Sequence, residues 1–202
     1  KSPPLVVPEL TEATVLGNEA AGAFRSLQLI DQGNSAGISE SDLVLQSTAP
    51  LVDQGTDRGL APDQPVYAGR TVVGKIRDVG RWTSTIERVT DLEYRGHAQL
   101  AWPSADGTVF GEEGILEGRG DGLCRLTKVA ATAAVTIGDD VYTARQSGAL
   151  PYPMYYGRVT EAELPPGPLF WEIVVEPAAA QLKIETVQIL TTRRNPERPL
   201  AN

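Results

Sequence analysis

Residues 51–91, LVDQGTDRGLAPDQPVYAGRTVVGKIRDVGRWTSTIERVTD, decide the fold. The runs RTVVGKIRDVG and WTSTIERVTD are rich in β-branched residues, which favour strands. Gly, Pro and Asp separate these runs, so each strand is predicted to be short and to end in a turn. Comparable runs recur along the chain at intervals of roughly 8–12 residues, a spacing typical of a β-sandwich or a β-barrel.

The beginning of that segment is a repeat. LVDQGTDRG at residues 51–59 matches LIDQGNSAG at residues 29–37, and each copy predicts a strand, a short turn and an aliphatic residue that anchors the loop in the core. Glycine adopts positive φ angles, and an aspartate side chain accepts hydrogen bonds from the N–H groups of a turn. A second tight turn is predicted within the hairpin GILEGRGDGLCRL. The predicted turn residues are Asp31, Gly33, Gly37, Asp53, Gly55, Gly59, Asp121 and Gly122.

The first copy also resembles a catalytic loop. Ser35 lies between small residues in GNSAG, as the nucleophile of a trypsin-like protease does. A serine nucleophile needs a base within hydrogen-bonding reach, and His97 is the one histidine of the sequence. The second copy has Asp57 where the first has Ser35, so the repeat retains the turn and not the hydroxyl. We therefore predict no catalytic residue, with a barrel-fold serine hydrolase acting through Ser35 as an alternative.

Charge and composition exclude several other functions. The formal net charge of -8 disfavours nucleic acid as a partner. The one cysteine, Cys124, lies between apolar residues and is predicted to be buried. A single histidine without clustered carboxylates is a poor metal site. We predict no metal and no cofactor. No apolar run approaches the ~20 residues of a membrane-spanning helix.

The two ends of the chain differ from its middle. Residues 1–12, KSPPLVVPELTE, contain three prolines and predict an extended linker. Residues 191–202 predict a disordered tail. Between them, QPVYAGRTVVGKI is echoed by DDVYTARQSGALPYPMYYGRV, which suggests two related β modules. We predict a first β subdomain at residues 13–101, with its closing strand drawn from residues 169–190, and a second at residues 102–190. Pro177 and AAAQL predict one short helix near the C-terminus.

Residues 13–190 resemble the family of the rod-shape-determining protein MreC. The resemblance is carried by the segment at residues 51–91 and then, in the family's order, by GILEGRGDGLCRL, IGDDVYTARQSGALP, YYGRVTEAE and LFWEIVVEPAAAQLKIETVQIL. It implies a mainly β fold of two small barrel-like subdomains built from short antiparallel strands. It also implies a scaffold of the cell-elongation machinery, anchored in the inner membrane, with this domain on the periplasmic or extracytoplasmic side.

The resemblance further implies partners. MreC proteins self-associate, sometimes into filaments, and bind the elongation transpeptidase of peptidoglycan synthesis, MreD and the actin-like MreB. A β-barrel adaptor module of an envelope export system is a second alternative, although the lipoyl-like half-motif and helical hairpin of such proteins do not occur in the sequence. Aromatic residues and Met are favoured in interface cores, and apolar residues are also favoured in a protein's own core. Both interpretations stay open for the interface candidates Trp102, Phe110, Tyr152, Met154 and Tyr155.

Overall fold

The computed structural model describes residues 6–16, 49–105, 107–144, 150, 152–167 and 169–195. These residues form twelve β-strands and two short 3-10 helices, as the alternating apolar pattern predicts. The strands are β1 (Val6–Thr14), β2 (Leu51–Val52), β3 (Pro65–Ala68), β4 (Thr71–Val79), β5 (Ser84–Arg88), β6 (Arg95–Ser104), β7 (Gly107–Gly118), β8 (Cys124–Thr127), β9 (Asp140–Thr143), β10 (Tyr155–Glu163), β11 (Glu172–Pro177) and β12 (Thr186–Arg194).

The strands form two rings. In the first, hydrogen-bonded neighbours follow the order β1-β12-β3-β4-β5-β2, and an antiparallel bridge between Val15 and Val52 closes the ring. In the second, the order is β10-β11-β8-β7-β6-β9, and β9 pairs with β10 to close a six-stranded barrel. Because closing a sheet pairs its edges, this arrangement satisfies the backbone of many short strands. The predicted fold class, mainly β with two small barrel-like units, is confirmed.

One hairpin serves both barrels. Strands β3 and β4 pair with each other and belong to the first ring, while a single parallel pair, Thr71 with Tyr155, connects β4 to β10. Successive side chains of a strand point to opposite faces. Val66 and Val73 accordingly lie in one hydrophobic cluster, whereas Tyr67 and Val72 lie in the other. One face of the hairpin therefore packs in the core of the first barrel, and the opposite face packs in the core of the second.

Each barrel has its own core. The first is filled by small and medium aliphatic side chains, namely Ala13, Val52, Leu60, Val66, Val73, Ile76, Ile86, Val187 and Ile189. The second is larger and includes tyrosine, methionine and cysteine side chains, among them Tyr94, Leu100, Leu116, Cys124, Leu126, Met154, Tyr156 and Ile173. Cys124 is fully buried, as the sequence predicts.

The second copy of the repeated loop connects the strands of the first barrel. The Asp53 carboxylate accepts a hydrogen bond of 2.7 Å from the backbone N–H of Thr14, and the Asp53 N–H donates to Thr14 O at 3.2 Å. A 3-10 helix, Thr56–Arg58, follows, and it ends at Gly59, whose φ is 77°. Leu60 then enters the core with 4% of its surface exposed. The first copy, with Asp31, Gly33, Ser35 and Gly37, lies outside the described residues.

The hairpin between β7 and β8 contains the other predicted turn. The carboxylate of Asp121 accepts a hydrogen bond of 3.1 Å from Leu123 N–H. The positive φ angles lie at Gly120 (78°) and Gly122 (91°), so each side of Asp121 is flanked by a left-handed glycine. Strand β8 follows this turn, whereas the glycine-rich loop of a dinucleotide-binding fold is followed by a helix.

Both predicted termini require correction. Residues 1–12 were expected to be a linker, but β1 pairs with β12 along nine positions, from Val6 with Arg194 to Thr14 with Thr186. The predicted tail likewise contributes its first residues to β12. Pro8 is tolerated because proline, which lacks an N–H, occurs at the edge of a sheet. The predicted closing strand, residues 169–190, contains β11 of the second barrel and only part of β12.

Two of the predicted boundaries inside the chain also differ from those in the structure. The predicted division at residues 101 and 102 falls inside β6, whereas the change of barrel occurs between β5 and β6. The predicted helix after Pro177 is a 3-10 helix at Ala178–Gln181, and Pro177 is the last residue of β11. A 3-10 helix suits this place because four residues are too few for a stable α-helix.

Candidate functional site

Three aromatic rings form a row on the outer face of the second barrel. The rings of Phe110 and Tyr142 lie 5.8 Å apart at 82°, and those of Tyr142 and Tyr155 lie 5.1 Å apart at 54°. Edge-on and tilted contacts of this kind are favoured by the charge distribution of aromatic rings. We call Phe110, Tyr142 and Tyr155 the aromatic row. Phe110 and Tyr155 were predicted from the sequence, and the structure brings them together through Tyr142, which was not.

Strand pairing explains the row. Tyr142 pairs with Gln99 on β6 and with Tyr155 on β10, while Phe110 on β7 pairs with Ala101 on β6. Paired residues share one face of a sheet. The adjacent Leu100 belongs to the core of the barrel, so Gln99 and Ala101 face outward. Gln99 and Ala101 are nevertheless buried, at 6% and 0% exposure, which shows that larger side chains cover this face.

A polar edge borders the row. The Asp140 carboxylate accepts hydrogen bonds from the Tyr155 hydroxyl at 3.1 Å and from Arg158 at 3.3 Å. Burial, together with the nearby charge of Asp140, raises the pKa of Tyr155 to about 12. The tyrosine is therefore neutral at physiological pH, and the ion pair of Arg158 with Asp140, in which the arginine side chain is 62% exposed, lies at the edge of the row. Apolar rings beside an arginine are the composition of interface centres.

Phe110 of the aromatic row lies on the first part of β7, in the β6–β7 hairpin. Strand β8 pairs with β7 at Ile115–Gly118, so the preceding part of β7 has β6 as its one described neighbour. A Cβ added to Gly111 would lie 2.4 Å from the ring of Trp102, which shows that the indole lies against this glycine. Val109 and Phe110 remain exposed at 40% and 42%. The hairpin therefore presents apolar side chains to solvent.

The remaining interface candidates are separate from the row. Tyr152 is 42% exposed, and its ring lies under the guanidinium of Arg70 at 4.7 Å. Met154 has 3% of its surface exposed and belongs to the core of the second barrel. The core interpretation therefore applies to Met154 and in part to Trp102, which is half-buried and packs against the same core. The other interface candidates, Phe110, Tyr152 and Tyr155, keep exposed surface.

Two reactive side chains noted in the sequence, Cys124 and His97, lie in the described part of the chain. Burial raises the pKa of the Cys124 thiol to about 12, so it is not a thiolate nucleophile at neutral pH. His97 is exposed, and Ser35 lies outside the described residues. Within the residues that the structure describes, no group of three or more His, Cys, Asp or Glu side chains could hold a metal ion. Nor does any helix in that part have the length and apolarity to span a membrane.

Structures of known proteins share this fold. MreC of Listeria monocytogenes has a TM-score of 0.63 and 18% identity, covering 96% of this chain and 80% of that one. The major periplasmic domain from the cell shape-determining filament MreC has a TM-score of 0.62 and 13% identity, covering 95% and 100%. A chain from the complex between penicillin-binding protein PBP2 and MreC of Helicobacter pylori has a TM-score of 0.56 and 10% identity, covering 90% and 97%.

Sequence comparison gives the family. A search of curated proteins found no match to the chain. The family model described as "Rod shape-determining protein MreC, barrel core" matches residues 46–191. That range spans both barrels, from before β2 into β12, and covers well over half of the chain. The chain therefore belongs to the MreC family of rod shape-determining proteins.

Proposed function

We propose that this chain is the extracytoplasmic domain of a scaffold in the cell-elongation machinery and that it binds the elongation-specific transpeptidase. Membership of the MreC family supports the role in cell shape. Similar folds occur in a structure titled as a periplasmic domain and in one titled as a complex with a penicillin-binding protein. The observation that carries the proposal for this chain is the exposed aromatic row beside Arg158.

The aromatic row has the properties of a binding surface. Phe110 keeps 42% of its surface exposed although it belongs to an aromatic cluster. Exposed apolar side chains that are rimmed by charge mark interaction sites. The three rings project from strands that are paired with one another, so their positions are largely fixed before a partner binds. Binding would therefore cost little side-chain conformational entropy. Phe110 is therefore the residue on which the proposal depends most.

A matched pair of substitutions tests the surface. Phe110→Ala removes an exposed ring from the row, and Phe170→Ala removes a ring of similar exposure, 47%, from the segment before β11. Binding of the purified chain to the extracytoplasmic part of the elongation transpeptidase is measured by biolayer interferometry. We expect Phe110→Ala to weaken binding by about tenfold or more, as loss of an interface anchor does, and Phe170→Ala to leave the affinity unchanged.

Two outcomes of the binding experiment would contradict the proposal. If the two variants bind as the original chain does, the aromatic row is not the contact surface, although the scaffold function could use another face. If the original chain and the full-length, membrane-anchored protein both fail to bind, transpeptidase binding itself is wrong. Circular dichroism of each variant verifies that the fold is retained, because Phe110 also contacts Tyr142.

Self-association is part of the same proposal. Strand β1 pairs with β12 along its whole length, while its contact with β2 is confined to its C-terminal end, at the hydrogen bonds between Thr14 and Asp53 and the following bridge of Val15 with Val52. Among the described residues, most of β1 therefore has one neighbouring strand, and exposed strand edges favour association between copies. Sedimentation velocity at increasing concentration tests this, with growth of the weight-average mass expected and a constant monomer mass contradicting it.

The remaining partners concern the membrane-anchored protein. We include MreD and MreB among the proposed partners, with an inner-membrane anchor and with MreB reached from the cytoplasmic side. Co-purification of MreD and MreB with the full-length protein is the expected result. Recovery of neither partner under conditions that retain the transpeptidase would remove them from the proposal.

The scaffold is proposed to be non-enzymatic. Labelling with a fluorophosphonate probe tests the alternative of a serine hydrolase, and we expect no labelling of the chain. Labelling that is abolished by Ser35→Ala would instead support the hydrolase and contradict the scaffold-only function.

A further inference from the structure

The first part of β7 has an open strand edge. Strand β8 pairs with β7 at Ile115–Gly118 and ends at Thr127, after which Lys128 adopts a left-handed φ of 64°. Within the described part of the chain, residues 107–113 of β7 therefore have β6 as their one neighbouring strand. The side chains of this part are mostly exposed, so the edge that faces away from β6 is accessible.

A proline shows which backbone groups point to this edge. Pro103 of β6 pairs with Thr108 of β7. In a hydrogen-bonded pair each residue donates its N–H to the other, and proline has no N–H, so this pair is one of the non-hydrogen-bonded pairs of an antiparallel ladder. The N–H and C=O of Thr108 therefore point away from β6. Because this direction alternates along a strand, those of Phe110 also point to the open edge, whereas those of Val109 point to β6.

The two long edges of the hairpin differ. Pro103 removes the outward N–H from the β6 edge, and proline is one of the residues by which proteins protect exposed edges. On the β7 edge, Thr108 and Phe110 keep their outward N–H groups, and no hydrogen bond among the described residues connects the backbone of either one to an element other than β6. The hairpin is therefore protected along β6 and open along β7.

An extended polypeptide fits the open edge. The outward groups of Thr108 and Phe110 repeat after two residues, about 6.8 Å along the strand, which is the repeat of an antiparallel partner strand. Such a strand would form two hydrogen bonds with each residue. Addition of a strand to a sheet edge is a common mode of peptide recognition, in which the backbone provides affinity and alternate side chains provide specificity.

The charge of the edge favours a basic segment. Glu112 and Glu113 follow Phe110 on β7, both are exposed, and neither forms an ion pair with a described residue. Opposite charges stabilise neighbouring strands and like charges destabilise them. A second copy of the chain fits poorly, because its β7 has the same glutamates, its β1 carries Glu9 and Glu12, and the net charge is -8. A segment that contains Lys or Arg complements the edge.

We propose that the protein partner of this domain adds a strand to β7, through an extended, basic segment that pairs with Thr108 and Phe110. The inference rests on the proposed transpeptidase contact, because Phe110 belongs both to this edge and to the aromatic row, and it specifies how that contact is made. The segment places an apolar side chain beside the ring of Phe110 and a Lys or Arg side chain beside Glu112 and Glu113.

Amide hydrogen exchange measures the strand addition directly. The complete 15N-labelled chain is exposed to D2O alone and in complex with the extracytoplasmic part of the elongation transpeptidase, and the remaining amide signals are read by NMR after the partner is released. In the free chain the N–H groups of Thr108 and Phe110 should exchange rapidly. In the complex their exchange should slow by at least about tenfold, as new hydrogen bonds protect them, while the N–H of Val109 should change less because it already bonds to β6.

Three exchange results would overturn the inference. The first is unchanged exchange of Thr108 and Phe110 in a complex that forms. The second is protection in the free chain that increases with its concentration, which would make a second copy the occupant of the edge. The third is protection in the free chain at every concentration, which would mean that the chain covers this edge itself.

A matched pair of substitutions at one position tests the same hydrogen bonds. Thr108→Pro and Thr108→Ala each remove the threonine side chain, but the proline alone removes the outward N–H. The paired position already holds Pro103, so the free edge is suited to proline. In biolayer interferometry, Thr108→Pro should bind the transpeptidase about tenfold more weakly than Thr108→Ala. Equal affinities would refute strand addition, and if Thr108→Pro unfolds, hydrogen exchange on the original chain decides alone.

Charge substitutions test the basic character of the segment. The double variant Glu112→Gln, Glu113→Gln should weaken binding by about threefold or more at low ionic strength and by less at high ionic strength. Glu93→Gln, at an exposed glutamate before β6, is the control and should bind as the original chain does. Equal affinity of the double variant and the control would exclude a basic segment.

The two proposals fail in different ways. If Phe110→Ala weakens binding while Thr108→Pro and Thr108→Ala bind equally, the transpeptidase contact stands and the strand addition is wrong. If the original chain does not bind the transpeptidase, the proposed function is wrong and the strand addition is refuted with it.

Discussion

Replacement of Gly55 by alanine should destabilise the first barrel. Gly55 has an extended backbone, so alanine suits its φ and ψ, but the added Cβ would lie 2.4 Å from the carbonyl oxygens of Gly80 and Arg81. Contacts of Cβ atoms under 3.0 Å essentially never occur. The loop before the 3-10 helix must therefore move away from the β4–β5 hairpin, and the cost depends on what this movement breaks.

The structure gives the size of the effect. The two carbonyls that meet the Cβ accept hydrogen bonds from Thr56 N–H at 2.9 Å and Asp57 N–H at 3.3 Å. Loss of both costs about 1–3 kcal/mol at the usual net value per hydrogen bond. Leu60, 4% exposed, follows the same loop, and its partial exposure adds about 1 kcal/mol. We expect the free energy of unfolding to fall by about 2–4 kcal/mol on the sum of these terms.

Gly59 provides the matched control. It has a φ of 77° and no atom within 4 Å of an added Cβ, so alanine there meets backbone strain and no collision. That strain costs about 1–2 kcal/mol, and asparagine, which tolerates the left-handed region, should cost less. Urea unfolding, followed by tryptophan fluorescence and circular dichroism, measures the free energy for Gly55→Ala, Gly59→Ala and Gly59→Asn. A loss for Gly55→Ala no larger than that for Gly59→Ala would refute the collision argument.

Two further predictions concern buried titratable groups. The Cys124 thiol donates a hydrogen bond of 3.2 Å to Val89 O, and burial raises its pKa to about 12. At pH 8 it should therefore react with a disulfide reagent at least about a hundredfold more slowly in the folded chain than in urea. Rapid labelling of the folded chain would contradict this. Burial also raises the pKa of Tyr67 to about 12, so the unfolded state, with a tyrosine pKa of 10, loses its proton first. Stability from Tyr67 should be complete below pH 10 and lost as the pH rises towards 12. Urea unfolding at pH 9 and at pH 11 measures how much stability the original chain and Tyr67→Phe each lose between the two pH values. The loss should be about 1 kcal/mol smaller for Tyr67→Phe. An equal loss in the two proteins would exclude a contribution from Tyr67.

The local pattern of strands could be predicted because it depends on neighbouring residues. In TVVGKIRDV and STIER, β-branched residues favour strands wherever those strands later pair. The turn at Asp53 could be predicted for the same reason, since glycine and aspartate favour turns through their own backbone and side chain. The order of family motifs then indicated two barrels, which the pairing of the strands confirms.

Pairing partners could not be predicted in this way. Strand β1 contacts β12 across most of the chain, as in the pair of Thr11 with Ile189, and no local pattern encodes such a distance. Three prolines near the N-terminus favoured a linker, but an edge strand accepts proline. Tyr142 could not be predicted as a site residue because its position matters only beside Phe110 and Tyr155, which lie on strands that are distant in sequence.

The adjacent residues Tyr155 and Tyr156 show how one strand supplies both the aromatic row and the core. Successive side chains point to opposite faces, so Tyr155 joins the aromatic row and Tyr156 enters the core, where its hydroxyl meets that of Tyr94. In β9 the same alternation places Val141 in the core and Tyr142 in the row. A shift of β10 by one residue would exchange the two tyrosines and remove the aromatic row and the buried tyrosine pair together. Strand register therefore determines the proposed binding surface of this barrel as directly as its core, and the single pair of Thr71 with Tyr155 joins that register to the first barrel.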